Sequence, residues 1–167
     1  MALEFRPSDD LLIYGSVTKG FKSGGTNSLD TSAPFDQEQL WSYEAGIKSS
    51  LNNNRLLLNG SLFYYDYDDL QVSTFANGTT RIENAASAKL TGVEVTLSAL
   101  LTEGLTVNAA ATWLDSEYQD FITTYGIIPG FRPTRPNVVN LSGNQLINAP
   151  EFKLVANMVQ ELSLIHI

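Results

Sequence analysis

Apolar and polar residues alternate with a period of two along most of this chain. Trp41, Tyr43, Ala45 and Ile47 alternate with Ser42, Glu44, Gly46 and Lys48. Val93, Val95, Leu97 and Ala99 alternate with Glu94, Thr96 and Ser98, and Leu105, Val107, Ala109, Ala111 and Trp113 with Thr106, Asn108, Ala110 and Thr112. Phe152, Leu154, Ala156 and Met158 repeat the pattern near the end. One apolar face and one small, polar face is the signature of antiparallel strands, so the fold class is all-β. Seven strands are predicted, at roughly 1–7, 11–23, 39–51, 55–73, 82–101, 105–119 and 148–160. The segment 55–69 is ambiguous. Leu56, Leu58, Leu62 and Tyr64 share one face while Phe63, Tyr65 and Tyr67 share the other, so either a bulge switches the faces or both are partly apolar.

The connections between strands are of two kinds. Short polar turns begin at positions 7, 52 and 102, hence 45 and 50 residues apart. Between them lie long stretches, Ser23–Glu38, Thr74–Arg81 and Ser116–Asn148. Soluble sandwiches place turns every ~8–12 residues. Short turns at one end and long loops at the other describe an outer-membrane barrel.

The large aromatics fit that geometry. Phe21 lies 11 residues beyond Asp10, Trp41 lies 11 before Asn52, Tyr65 lies 11 after Asn54 and Trp113 lies 10 after Glu103. At ~3.3 Å per residue and a tilt of ~40°, such a length climbs roughly 25–28 Å, the height of the apolar band between aromatic girdles. Phe21, Trp41, Tyr43, Tyr65 and Trp113 are therefore the candidate membrane-interface residues. The competing reading makes them core aromatics of a soluble β-protein.

Composition narrows the alternatives. Of 167 residues only 17% are charged, against a typical ~25%, while 7 Tyr, 8 Phe and 2 Trp are present. Disordered chains have the opposite balance. No apolar run is long enough for a transmembrane helix. The absence of Cys removes disulfides, thiol catalysis and thiolate-bound zinc. A net charge of −8 with no basic patch removes nucleic acid as a partner. The first residues, Met1-Ala2-Leu3-Glu4-Phe5-Arg6, do not read as a signal peptide.

Four stretches, taken in order, resemble the TonB-dependent receptors of Gram-negative outer membranes. They are Tyr14–Gly25, Glu38–Ser49, Leu62–Val72 and Glu83–Val95. The most specific is Glu83-Asn84-Ala85-Ala86-Ser87-Ala88-Lys89-Leu90-Thr91-Gly92-Val93-Glu94-Val95, an asparagine–alanine run leading into a Gly-Val-Glu strand. The resemblance implies a barrel of about 22 strands, its lumen plugged by a separate N-terminal domain. It implies uptake of a scarce large solute, a ferric siderophore foremost, energised through TonB and its inner-membrane complex by way of the plug. Outer-membrane lipid and the solute would be the other partners. No cofactor, metal or catalytic residue is expected, and the ligand-binding residues are not assignable. Residues 1–160 are expected to be an internal part of the barrel, without plug, energy-coupling box or closing strand. The run Glu161-Leu162-Ser163-Leu164-Ile165-His166-Ile167 breaks the alternation and reads as a non-native tail.

Two other functions compete: a small outer-membrane barrel serving as adhesin or anchor, and a soluble β-sandwich binding carbohydrate. Individual motifs carry less. Gly15–Ser23 approaches a phosphate-binding loop, but Phe21 stands where Lys must follow the second Gly, and no helix follows. Asp66, Asp68, Asp69 and Glu83 suggest calcium but lack the glycine of an EF-hand loop; an acidic rim above the aromatics is the better reading. The single His166 falls in the tail, which leaves a hydrolase triad without support. Asn77-Gly78-Thr79 and Asn140-Leu141-Ser142 match glycosylation acceptors only incidentally in a bacterial outer-membrane protein. Arg132 and Arg135 lie in the longest loop, where they would contact an anionic ligand or be solvated.

Overall fold

The structure, a computed structural model, describes residues 1–27, 30–76, 79–125 and 137–162. Seven strands form one antiparallel sheet in the order β1-β2-β5-β6-β7-β8-β11. They are β1 (Ala2–Ser8), β2 (Leu11–Lys22), β5 (Glu38–Leu51), β6 (Leu56–Ala76), β7 (Thr79–Thr102), β8 (Leu105–Asp120) and β11 (Phe152–Gln160). Each pairs with its neighbour in sequence order, as in a meander. The seven agree with the periodicity to within a few residues.

The long connections hold more order than their sequence shows. Two small hairpins lie in them, β3 (Gly25–Asn27) with β4 (Asp30–Phe35), and β9 (Ile122–Tyr125) with β10 (Asn137–Asn140). The stretch from Thr74 to Arg81 is a continuation of β6 and β7. These pieces pack around only a small buried cluster, so little imposes alternation on them.

The turns follow from their residues. Asn52, Asn53 and Asn54 have φ of 53, 55 and 65°, and Gly104 has φ of 88°. Asn tolerates this left-handed region and Gly enters it freely, which reverses the chain tightly between β5 and β6 and between β7 and β8. The short turns are also staggered. Leu11 lies opposite Ser49, Leu51 opposite Leu56 and Leu56 opposite Ala99, beyond which β7 continues to Thr102. Each turn therefore steps further along the strand direction than the last, as strands tilted against a barrel axis require.

The register also resolves the ambiguous segment. β5 and β6 pair without a shift from Leu51↔Leu56 to Gln39↔Asp68, so no bulge switches the faces and both faces are partly apolar. Irregularities come higher. Asp69 has φ of 55°, and the β7–β8 register shifts between Ser87 and Ala88. Bulges of this kind bend a strand. Here they mark where the flat wall ends and the β6–β7 extension begins.

Almost nothing in the wall is buried. The buried hydrophobic cluster consists of Val72, Ala88, Tyr118 and Phe121, at the long-loop end, with Tyr67, Leu70, Leu141 and Leu146 packed against it. Among the described residues no second sheet covers the wall. A β-sandwich needs two sheets face to face, so that reading of the sequence is not supported.

Candidate membrane wall and extracellular platform

Residues directly opposite in register share a face, so the pairings assign every wall side chain to one side. One side carries Ile13, Val17, Trp41, Tyr43, Ile47, Leu58, Leu62, Val93, Val95, Trp113, Leu154 and Met158. Many are open to their surroundings, with Leu62 at 60%, Trp113 at 49% and Met158 at 69% exposure. A soluble protein rarely leaves a contiguous apolar face of this size uncovered. The other side carries Ser42, Glu44, Lys48, Asn59, Ser61, Glu94, Thr96, Asn108 and Thr112.

The aromatics of the apolar side form a slanting row. Phe21 lies opposite Gln39, two positions nearer the long loops than Trp41. Trp113 lies in line with Val93, Leu62 and Ala45, four positions further from those loops than Trp41. The row thus steps in the same sense as the short turns. Trp41 stacks on Tyr43 with centroids 6.4 Å apart, and Tyr43 meets Tyr64 at 6.0 Å. Phe152, opposite Trp113, extends the row to the last strand.

Of the five aromatics expected at the interface, Phe21, Trp41, Tyr43 and Trp113 therefore share the apolar face. Tyr65 does not. It lies opposite Ser42 and Leu90 on the polar side and stacks on Phe63 at 5.0 Å. Counting from the turn gives a residue's height but not its side, which explains the error. Tyr64 takes that place, and Tyr64 and Phe152 are the members that counting missed. Just beyond the row the apolar side ends in charge, with Asp66 opposite Lys89 and Lys89 opposite Glu117.

Two aromatic rings on the polar side lie across glycines of the next strand. A Cβ on Gly46 would fall 2.6 Å from the Tyr14 hydroxyl oxygen, and one on Gly92 would collide with the Phe63 ring. Tyr14 Oη donates to Glu44 Oε1 at 2.5 Å, and Lys48 Nζ stands 5.4 Å from the Tyr14 ring centroid. Asn59 Nδ2 donates to Thr96 Oγ1 at 3.1 Å and Asn108 Nδ2 to Asn157 Oδ1 at 3.0 Å. Polar side chains thus satisfy one another across adjacent strands.

At the long-loop end, side chains fasten distant segments to the β6–β7 extension. Asn27 Nδ2 donates to the Ile82 carbonyl at 3.0 Å, and the Ile82 amide donates back to Asn27 Oδ1 at 2.7 Å. Asn84 accepts from the Asp36 amide at 2.8 Å and donates to the carbonyls of Asp36 and Asp69. Gln71 donates through its side chain to the carbonyls of Ser23 and Asp36 and through its backbone to Glu38 Oε2. From the other side, Thr123 Oγ1 donates to Glu83 Oε2 at 3.3 Å, while Arg81 and Thr74 donate to Glu83 Oε1 at 2.5 and 2.8 Å. Burial would raise the Glu83 carboxyl, but these hydrogen bonds and the Arg81 charge outweigh it and hold the group below its ordinary value. The backbone of Leu141–Asn144 bonds to Phe121 and Tyr118. The loops and extension form a small folded platform.

The remaining candidates separate. Asp66 and Asp68 share the apolar side, and Glu83 lies further up the extension opposite Val72. Among the described residues no group of three or more acidic or His side chains is placed to hold a metal. Asn140 Oδ1 accepts from the Ser142 amide at 2.9 Å, a local turn. Arg132, Arg135, His166 and the Asn77-Gly78 pair lie outside the described residues.

Comparison with known proteins agrees with this architecture. A family model described as "TonB dependent receptor-like, beta-barrel" matches residues 1–161. The probable TonB-dependent siderophore receptor PiuA of Acinetobacter baumannii is 27% identical over 159 residues, which is 89% of this chain and 20% of that protein. The metal-pseudopaline receptor CntO of Pseudomonas aeruginosa is 26% identical over 113 residues, 68% of this chain and 16% of that protein. The chain thus spans a fifth or less of these two relatives. Among solved structures, the ferric yersiniabactin uptake receptor FyuA from Yersinia pestis superposes with a TM-score of 0.69 at 21% identity, covering 94% of this chain and 22% of FyuA. Receptors of this family are transporters of Gram-negative outer membranes and not enzymes. With its one meander sheet, apolar outer side and polar inner side, this chain belongs to the TonB-dependent receptor family, as part of its outer-membrane β-barrel.

Proposed function

We propose that residues 1–160 form part of the wall of a receptor that takes up a scarce large solute, a ferric siderophore foremost. The observation that carries the choice of solute is the nature of the relatives' named ligands. FyuA is a ferric yersiniabactin uptake receptor, CntO a metal-pseudopaline receptor and PiuA a probable siderophore receptor. Each name describes chelated metal or its chelator.

In this reading the apolar side meets outer-membrane lipid. Phe21, Trp41, Tyr43, Tyr64, Trp113 and Phe152 mark the boundary on the long-loop side, where amphipathic rings favour the headgroup level. The polar side lines the lumen and meets the plug, through which TonB delivers energy. The platform around Glu83 forms part of the extracellular vestibule that admits the solute.

The test is uptake. The gene that encodes this segment is deleted in its own bacterium, and entry of iron-labelled ferric siderophores and of cobalamin is followed under iron limitation. Loss of uptake for one or more ferric siderophores, restored by the intact gene, is expected. Unchanged siderophore uptake with loss of cobalamin uptake would overturn the assignment of solute.

A further inference from the structure

On the apolar side, just below the aromatic row, the sheet carries a groove of about 700 Å³. Its floor includes the register pair Gly15 and Ala45, and Val17, Tyr43, Leu62 and Trp113 flank it. Glycine is not demanded there by packing. Whereas aromatic rings occupy the space beside Gly46 and Gly92, a Cβ on Gly15 would meet nothing nearer than the Glu44 carbonyl oxygen at 3.8 Å. The missing side chain at Gly15, beside the small Ala45, leaves space between the larger Val17, Tyr43 and Leu62.

A cation stands above this trough. Lys19 is on the same strand and the same face as Gly15, and its Nζ lies 5.2 Å from the Trp41 ring centroid. Four residues of strand separate it from Gly15, roughly 13 Å, enough to part a phosphate from the upper methylenes of the chain it carries. No carboxylate opposes Lys19 in register. Its partner is Trp41, and Asp66 on the next strand is matched by Lys89.

We propose that this trough seats one acyl chain of an anionic outer-leaflet lipid, with the lipid phosphate on Lys19. The groove is continuous with the face that meets hydrocarbon, so its occupant is apolar and present at membrane depth. Lys19, which no carboxylate opposes in register, selects a phosphate-bearing lipid over a neutral one.

The experiment uses the complete receptor that carries this segment, purified and reconstituted in phosphatidylcholine nanodiscs, with bis-phosphorylated lipid A titrated in as the probe. Native mass spectrometry counts the lipids that survive release from the disc. One lipid A retained per receptor is expected. Gly15→Phe, which fills the trough, should abolish that retention, and Lys19→Gln should weaken it roughly five-fold while leaving phosphatidylcholine retention unchanged. Ala45→Phe fills the same trough from β5 and must give the same loss, which guards against a folding defect confined to one variant. Heat-modifiable mobility on gels reports that each barrel is closed. Equal lipid A retention in wild type and both trough variants would overturn the proposal. So would phosphatidylcholine held as firmly as lipid A, displacement of the lipid by inorganic phosphate, or a receptor dimer burying the groove.

Discussion

Tyr14 and Glu44 are joined by a hydrogen bond of 2.5 Å that crosses from β2 to β5 on the lumen side. The contact exists because Gly46, opposite Tyr14 in register, leaves room for the ring to lie flat across the neighbouring strand. A barrel wall has one layer, so side chains that bridge strands on the inner face do the work a second layer does in a soluble domain. Tyr14→Phe should destabilise the wall by about 0.5–1.5 kcal/mol through the lost hydrogen bond. Gly46→Val should cost more, about 1–3 kcal/mol, because it expels the ring as well. Denaturant unfolding of the receptor reconstituted in bilayers measures both; equal losses would show that the hydrogen bond, not the seat of the ring, dominates.

Leu58 and Asn59 are adjacent in sequence and opposite in environment. Leu58 faces outward beside Ser49 and Leu97, while Asn59 faces the lumen and donates to Thr96. Both lie several residues below the aromatic row, toward the middle of the membrane. Leu58→Arg should therefore destabilise the barrel by about 2–4 kcal/mol and reduce its assembly. Asn59→Arg should be far milder, because a lumen is wet and polar. Comparison of the two by folded fraction in outer-membrane preparations tests the assignment of faces directly, and a reversed order would invert it.

Glu83 couples the platform to pH. Its carboxyl is held below the ordinary glutamate value, so the ionised form binds Arg81, Thr74 and Thr123 more favourably than an unfolded chain could. A depressed carboxyl contributes stability that is complete above the ordinary value near 4.5 and is lost as pH falls through the depressed one. Protection of the Ile122–Tyr125 amides, taken relative to the intrinsic exchange rate at each pH, should accordingly be high at neutral pH and fall as the medium is acidified below that range. Glu83→Gln should lower that protection at neutral pH to its acid level and remove the pH dependence, by an amount equivalent to about 1–3 kcal/mol. An acid response that persists in the variant would place the sensitive group elsewhere.

The wall was legible in the sequence because one of its sides carries an apolar residue at nearly every second position. The existence of the strands and the two-sided character of each follow from that pattern. What escaped depends on contacts between distant segments. Phe63 and Tyr65 look like outward residues until the register sets Phe63 over Gly92 and Tyr65 beside Ser42, on the lumen side. The platform left no periodic trace, since Asn27 is fixed by the backbone of Ile82, 55 positions away, and Asn84 by that of Asp36. Polar side chains paired with backbone groups read locally as ordinary loop residues.

The two outer strands of the sheet set the last expectation. Every residue of β1 and of β11 is exposed, and among the described residues each strand has a paired neighbour on one side only. Their free N–H and C=O groups need partners, in water as in lipid, and hydrocarbon supplies none. The apolar side offers no alternative stability, because the buried cluster is confined to a few residues around Ala88 and Tyr118. Residues 1–160 expressed alone should therefore aggregate through these edges or refold only into ill-defined species. Size-exclusion chromatography with light scattering and chemical unfolding provide the check. A monodisperse, cooperatively unfolding soluble monomer would mean that the edges and the apolar face are covered in some other way, and the membrane assignment of both would fall with that result.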